Sequence, residues 1–138
     1  MKEYILVIDT TEENTGIALR GTDFYKENIW VSKKNQSEEL LPNIDKLFEE
    51  NNKKPAELKW VAVNIGPGSF TGLRIGISIA NTFGYALKIP VIGEANLAGA
   101  IKTRLEKLTN LTTNEIKFTQ ILPEYGRPPR ITKPKPKK

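Results

Sequence analysis

The chain has 138 residues, with 21 Lys and Arg against 16 Asp and Glu and a net charge of +5, a size that suits one domain around one modest core. Histidine and cysteine are both absent, which excludes disulfides, thiolate nucleophiles, Ser-His and Cys-His catalysis and nearly every zinc or transition-metal site. The longest charge-free runs, residues 60–73 and 75–87, are shorter than the roughly 18 to 20 apolar residues that cross a bilayer. The apolar stretch 4–8 stops at Asp9, too short for a signal-peptide core of about 7 to 15 residues, so a soluble, cytoplasmic protein is expected.

Three strand-like runs come first, at 4–9, 15–20 and 24–31, separated by TEEN and GTD turn chemistry. Their short links predict an antiparallel meander. The first run, YILVI, is continuously apolar, as in a central strand covered on both faces. From Ser37, a candidate N-cap followed by Glu38 and Glu39, the apolar residues Leu40, Leu41, Ile44, Leu47 and Phe48 fall at helical spacing to about residue 51. KWVAVNIGPG, SFTGLRIGISIANTFGYALK and IPVIGEA then read as strand, glycine-rich turn, long helix and strand. That is a crossover unit, which predicts parallel strands. A third helix is predicted over 96–108, with Leu97, Ala100, Ile101, Arg104, Leu105 and Leu108 on one face, and Ile116, Phe118 and Ile121 suggest a short strand beyond it.

This order of elements matches a single α/β ribonuclease H-like lobe over residues 1–108, with a mixed five-stranded sheet of order 3-2-1-4-5. Residues 109–122 follow as a linker or extra strand, and 123–138 as a basic tail. Arg127, Arg130, Lys133, Lys135, Lys137 and Lys138 exceed the net charge of the whole chain by one, so residues 1–126 carry −1. A Pro/Lys-rich end of this kind reads as an extended, solvated arm. It serves either as a solubilising tail or as an electrostatic attractor for RNA phosphates. The same lobe builds nucleases and, duplicated, the sugar-kinase, Hsp70 and actin ATPases, so fold alone leaves function open.

Three stretches could carry chemistry. Asp9, Thr10 and Thr11 end the first strand, where a carboxylate beside hydroxyls either holds a cation or wraps phosphate, or closes a turn on its own backbone. A two-metal nuclease needs several converging carboxylates, whereas the chain has three aspartates, Asp9, Asp23 and Asp45, and Asn64 stands at the end of the fourth strand. Gly66, Gly68 and Ser69 lie between strand and helix, a place for an anion, yet neither the phosphate-loop nor the dinucleotide spacing is met. The alternatives there are a tight left-handed turn capped by Ser69 and a partner-docking loop. Third, Gly72, Gly76, Ala80 and Gly84 recur every fourth residue along a helix flanked by Ile75, Ile77, Ile79 and Phe83. Four small residues in register form a smooth groove at a cost near 1 kcal/mol per glycine. A second chain packed on it, or close packing against the first helix, would offset that cost.

The segments ILVIDTTEENTGIAL, SEELLPNIDKLFEE, VNIGPGSFTGLRIGISIANTFGYAL and PVIGEANLAGA together resemble the N-terminal lobe of the TsaB (YeaZ) family over roughly residues 4–100, and LPEYGRPPRIT resembles the close of some members. The resemblance implies an Hsp70/actin-type lobe from which most of a second lobe is absent. It also implies a non-catalytic dimerisation subunit without metal or cofactor, pairing with a TsaD-type catalytic subunit in threonylcarbamoylation of tRNA, or with itself when that partner is missing. Gly72, Ile75, Gly76, Ile79, Ala80, Phe83 and Gly84 are then the expected partner interface, and Asp9, Thr10, Thr11, Gly66, Gly68 and Ser69 vestigial phosphate loops. The competing readings are an ATP-binding protein or ATPase using those loops, and an RNA-binding module using the tail.

Overall fold

A computed structural model describes residues 2–33 and 35–124; the basic tail, with the arm and RNA-binding readings that fall on it, lies outside the described residues. The chain order is β1 (Tyr4–Asp9), β2 (Asn14–Gly21), β3 (Phe24–Val31), α1 (Gln36–Glu50), a 3-10 turn at Pro55–Glu57, β4 (Leu58–Gly66), α2 (Phe70–Leu87), β5 (Val91–Ala95) and α3 (Ile101–Thr109). The five strands form one sheet in the order β3-β2-β1-β4-β5, as the sequence predicts. β1 pairs antiparallel with β2, placing Leu6 opposite Leu19, and parallel with β4, placing Ile8 opposite Val63. All six β1 residues are buried, which is what its unbroken apolar run requires of a strand with a helical layer on each side.

The pleat sends alternate β1 residues to opposite layers. Leu6 and Ile8 join Leu40, Ile44 and Phe48 of α1 and Leu73 and Ile77 of α2 in the larger core. Ile5 and Val7 face the other way and pack with Leu105 and Leu108 of α3. No helix among the described residues is long and apolar enough to cross a membrane.

Three boundaries differ from expectation. α1 starts after Asn35 rather than Ser37, and Asn35 caps it without a side-chain hydrogen bond. α3 starts at Ile101 rather than Asn96, because Asn96 (φ 61°) and Gly99 (φ 107°) hold left-handed backbone and Ala100 is extended; Asn96 N instead donates to Gly66 O at 2.7 Å. Residues 111–124 form no strand. They cross to the α2 layer as a strap: Phe118 packs at Gly84 and Ile121 at Gly93. Asn81 pairs with both backbone groups of Ile121, at 2.9 and 3.0 Å, and Glu124 N donates to Ile65 O at 2.6 Å. Of the three apolar residues read as a strand, Phe118 is an anchor docked on α2 and Ile121 one docked at β5, with the Asn81 amide standing in for a ladder, while Ile116 is exposed.

Candidate functional site

At the C-terminal end of the sheet, Asp9 is completely buried and its carboxylate is saturated. Oδ1 accepts from Thr11 N at 3.1 Å and Thr11 Oγ1 at 2.8 Å, while Oδ2 accepts from Asn64 Nδ2 and Arg104 Nε, both at 2.9 Å. Four donors fill about as many lone-pair positions as a carboxylate offers. Asn64 spends its other side-chain atom accepting from Gly66 N at 2.9 Å, so one amide ties β1 to the glycine turn. Arg104 is 6% exposed; its Nη1 donates to Gly99 O at 2.8 Å and its Nη2 stands 3.6 Å from Glu12. The sequence reading places Arg104 on the apolar stripe of its helix without a role. The available signal is that a guanidinium at a buried position must have an anion, and Asp9 is that anion.

Lobes of this fold class meet a metal ion and phosphates at this strand end, and the residues here do not fit that group. A cation held through even one carboxylate, with waters and phosphates completing its shell, needs a free lone pair on that carboxylate. Asp9 has none to spare, Asn64 points its donor at Asp9, and among the described residues no three His, Cys, Asp or Glu side chains are grouped to hold an ion. Of the expected phosphate-loop residues, Asp9, Thr10, Thr11 and Gly66 are buried while Gly68 and Ser69 are exposed. Gly66 adopts φ 116° and Ser69 Oγ accepts from Gly72 N at 3.0 Å, so the turn is left-handed and Ser69 caps α2. Ser69 N in turn donates to Thr11 O at 2.8 Å, locking the glycine turn onto the β1–β2 turn.

The small-residue stripe faces inward, which corrects the interface expectation for four of its seven residues. Gly72, Gly76, Ala80 and Gly84 are buried within the lobe. Thr10 Oγ1 donates to Gly72 O at 2.5 Å, and a Cβ on Gly76 would run into Thr10 and come within 3.3 Å of Ile8 Cγ2. At Gly84 it would meet Val91 at 2.5 Å and Phe118 at 2.6 Å. The glycines thus let the α2 backbone lie close on the end of β1 and on the strap, offsetting their poor helix propensity with internal contact. α1 covers only part of the helix, so neither outward docking of the stripe nor packing against α1 alone describes it.

The other three residues, Ile75, Ile79 and Phe83, are partly buried against the core and flank two outward cavities that meet at Ile79. One, of about 420 Å³, is almost wholly apolar, with Leu41, Ile79, Phe83, Ala86 and Leu87 in its wall. The other, of about 430 Å³, lies toward the start of α2 and takes in Phe70, Arg74, Ile75 and Ser78. Leu41 is 45% exposed and Phe70 57%. This α1–α2 face, edged by Pro55 of the 3-10 turn, presents Leu41, Ile79 and Phe83 around the apolar cavity.

Sheet order, layers and a crossover unit define the class: a single ribonuclease H-like lobe of the Hsp70/actin type. The model of the family described as TsaD, tRNA N6-adenosine threonylcarbamoyltransferase, matches residues 30–113. The chain is 38% identical over 94 residues to the tRNA threonylcarbamoyladenosine biosynthesis protein TsaB of Bacillus subtilis (strain 168), covering 67% of this chain and 41% of that protein. It is 35% identical over 103 residues to the TsaB of Buchnera aphidicola subsp. Schizaphis graminum, covering 71% and 47%. The structure of YeaZ from Pseudomonas aeruginosa superposes with a TM-score of 0.67 at 30% identity, over 71% of this chain and 46% of that one. The chain belongs to the TsaB (YeaZ) family, and it spans less than half the length of these three relatives.

Proposed function

We propose that the chain is a non-catalytic scaffold subunit in the formation of threonylcarbamoyladenosine in tRNA, and that it docks through the α1–α2 face onto a cytoplasmic TsaD-type subunit that holds the catalytic residues. The observation that carries this reading is the apolar cavity along α1 and α2, walled by Leu41, Ile79 and Phe83, on a lobe whose buried carboxylate is already fully paired. An exposed apolar patch rimmed by polar residues is the usual mark of a protein interface. The threonylcarbamoyltransferase family model also matches this lobe, so the partner offers a similar helix pair and the two can meet face to face about a near-twofold axis. A second copy of the chain takes that place when the partner is absent.

Reconstitution tests this. The cognate TsaD-type subunit, the remaining pathway components and tRNA are combined with wild-type chain, with Leu41→Asp, or with no chain. Modification is expected with wild type and to fall at least about tenfold with Leu41→Asp, whose side chain lies at the surface, since a charge at an apolar contact forfeits its burial and adds desolvation. Equal modification without the chain overturns the reading.

A further inference from the structure

We infer that the Arg104 guanidinium is a built-in cation, standing where lobes of this fold otherwise meet the metal ion of a bound nucleotide, so that this lobe neutralises its strand-end carboxylate with its own side chain and takes no ion or nucleotide there. The inference goes beyond the scaffold reading and is independent of it. It rests on the way charge is balanced at the end of β1. Asp9 and Arg104 lie 95 residues apart in sequence yet meet at 2.9 Å, the carboxylate wholly buried and the guanidinium 6% exposed. Burying either charge alone would be prohibitive, and burying the two together with good geometry is not.

The surroundings fit this pairing and leave an added ion no room. The remaining Asp9 lone pairs take Thr11 N, Thr11 Oγ1 and Asn64 Nδ2. A divalent ion would therefore have to displace three neutral donors as well as a cation, or sit beside the guanidinium and be repelled by it. The turn before α3 is shaped for the arginine: Gly99, at φ 107°, presents its carbonyl to Nη1 at 2.8 Å. Nη2 is buried with no hydrogen bond and stands 3.6 Å from Glu12, which is 61% exposed. An orphaned buried donor is costly, and the chain retains one in exchange for delivering Nε to Asp9.

Thermal melts of the full chain in EDTA, in millimolar Mn²⁺ and in MgADP test the inference. Wild type is expected to melt at one temperature in all three. Arg104→Ser is expected to melt several degrees lower in EDTA and to regain part of that loss in Mn²⁺, because a ligand that binds only the folded state raises its melting temperature; Arg104→Ser with Asp9→Asn is expected to show no regain. A wild-type melting temperature that rises in Mn²⁺ or MgADP, with the rise abolished by Asp9→Asn, overturns the inference, as does indifference of Arg104→Ser to Mn²⁺. Should Arg104→Ser fail to fold, Asp9→Asn/Arg104→Gln decides. It is expected to recover most of the stability that Asp9→Asn alone loses, and losses that simply add would overturn the counter-ion role.

Discussion

Replacing Gly76 with alanine adds one methyl group to α2 and asks which way the helix faces. If the stripe looked outward, the change would stabilise the chain by about 1 kcal/mol, the difference in helix propensity. In the structure the new Cβ instead runs into Thr10 Oγ1 and comes within 3.2 Å of Thr10 Cγ2 and 3.3 Å of Ile8 Cγ2. Thr10 has no exposed surface and its hydroxyl donates to Gly72 O at 2.5 Å, so it has no solvent to turn into. Shifting it overpacks a tight core, which costs about 1–3 kcal/mol, and breaks a buried hydrogen bond, another 1–3 kcal/mol or so. After the propensity gain, Gly76→Ala should lose about 1–5 kcal/mol, or roughly 4–20 °C of melting temperature for a chain of this size. Ser78→Ala, exposed on the same helix, should stay within about 0.5 kcal/mol of wild type. Circular dichroism melts and urea titrations of both variants read the difference. A Gly76→Ala protein as stable as wild type, or more so, would refute the inward-facing stripe.

Asn64→Asp should destabilise the lobe by about 2–4 kcal/mol, since it replaces the donor to Asp9 at 2.9 Å with a second buried carboxylate; unchanged urea midpoints would contradict this. Asn81→Ala removes both partners of the Ile121 backbone, so amide exchange across 116–124 should speed up at least tenfold while the β1 amides keep their protection. Uniform loss of protection would mean that the strap is not a separable unit. Glu27 accepts from Lys102 Nζ and Tyr25 OH: burial works to raise its pKa, but these two donors outweigh it and hold the carboxyl below 4.5. A lowered carboxylate pKa adds stability that is complete above 4.5 and lost as pH falls through the folded value. Lys102 is mostly exposed, so Lys102→Ala should cost under about 1 kcal/mol at pH 7, and its gap from wild type should close below pH 4.5. A gap independent of pH would contradict the pairing.

The sheet was legible because its determinants are local or topological. An apolar run such as YILVI places β1 at the centre, and a strand-helix-strand crossover makes β4 and β5 parallel. The facing of α2 was not, because a row of glycines suits a partner helix and a nearby strand equally, and the group that meets Gly72 and Gly76, Thr10, comes from a turn 62 residues before Gly72. Arg104 escaped for the same reason: its helical spacing suggests an apolar face, and its anion is 95 residues away. The start of α3 was misplaced because Asn96 can adopt the left-handed backbone that glycine favours, which apolar periodicity does not register. The strap offered apolar residues at 116, 118 and 121 without a ladder to join, since Asn81 supplies the hydrogen bonds that a neighbouring strand would.

Isothermal titration of the cognate TsaD-type subunit into this chain tests the docking face most directly. Thr82 is exposed in the apolar cavity beside Ile79 and Phe83, so Thr82→Arg should leave the melting temperature unchanged and weaken association by at least about 1.4 kcal/mol, or tenfold. Lys26→Glu, at an exposed position of β3 that does not line the cavity, should bind like wild type. Wild-type affinity for Thr82→Arg, or no measurable association of the wild-type chain at all, would contradict the α1–α2 face as the docking surface.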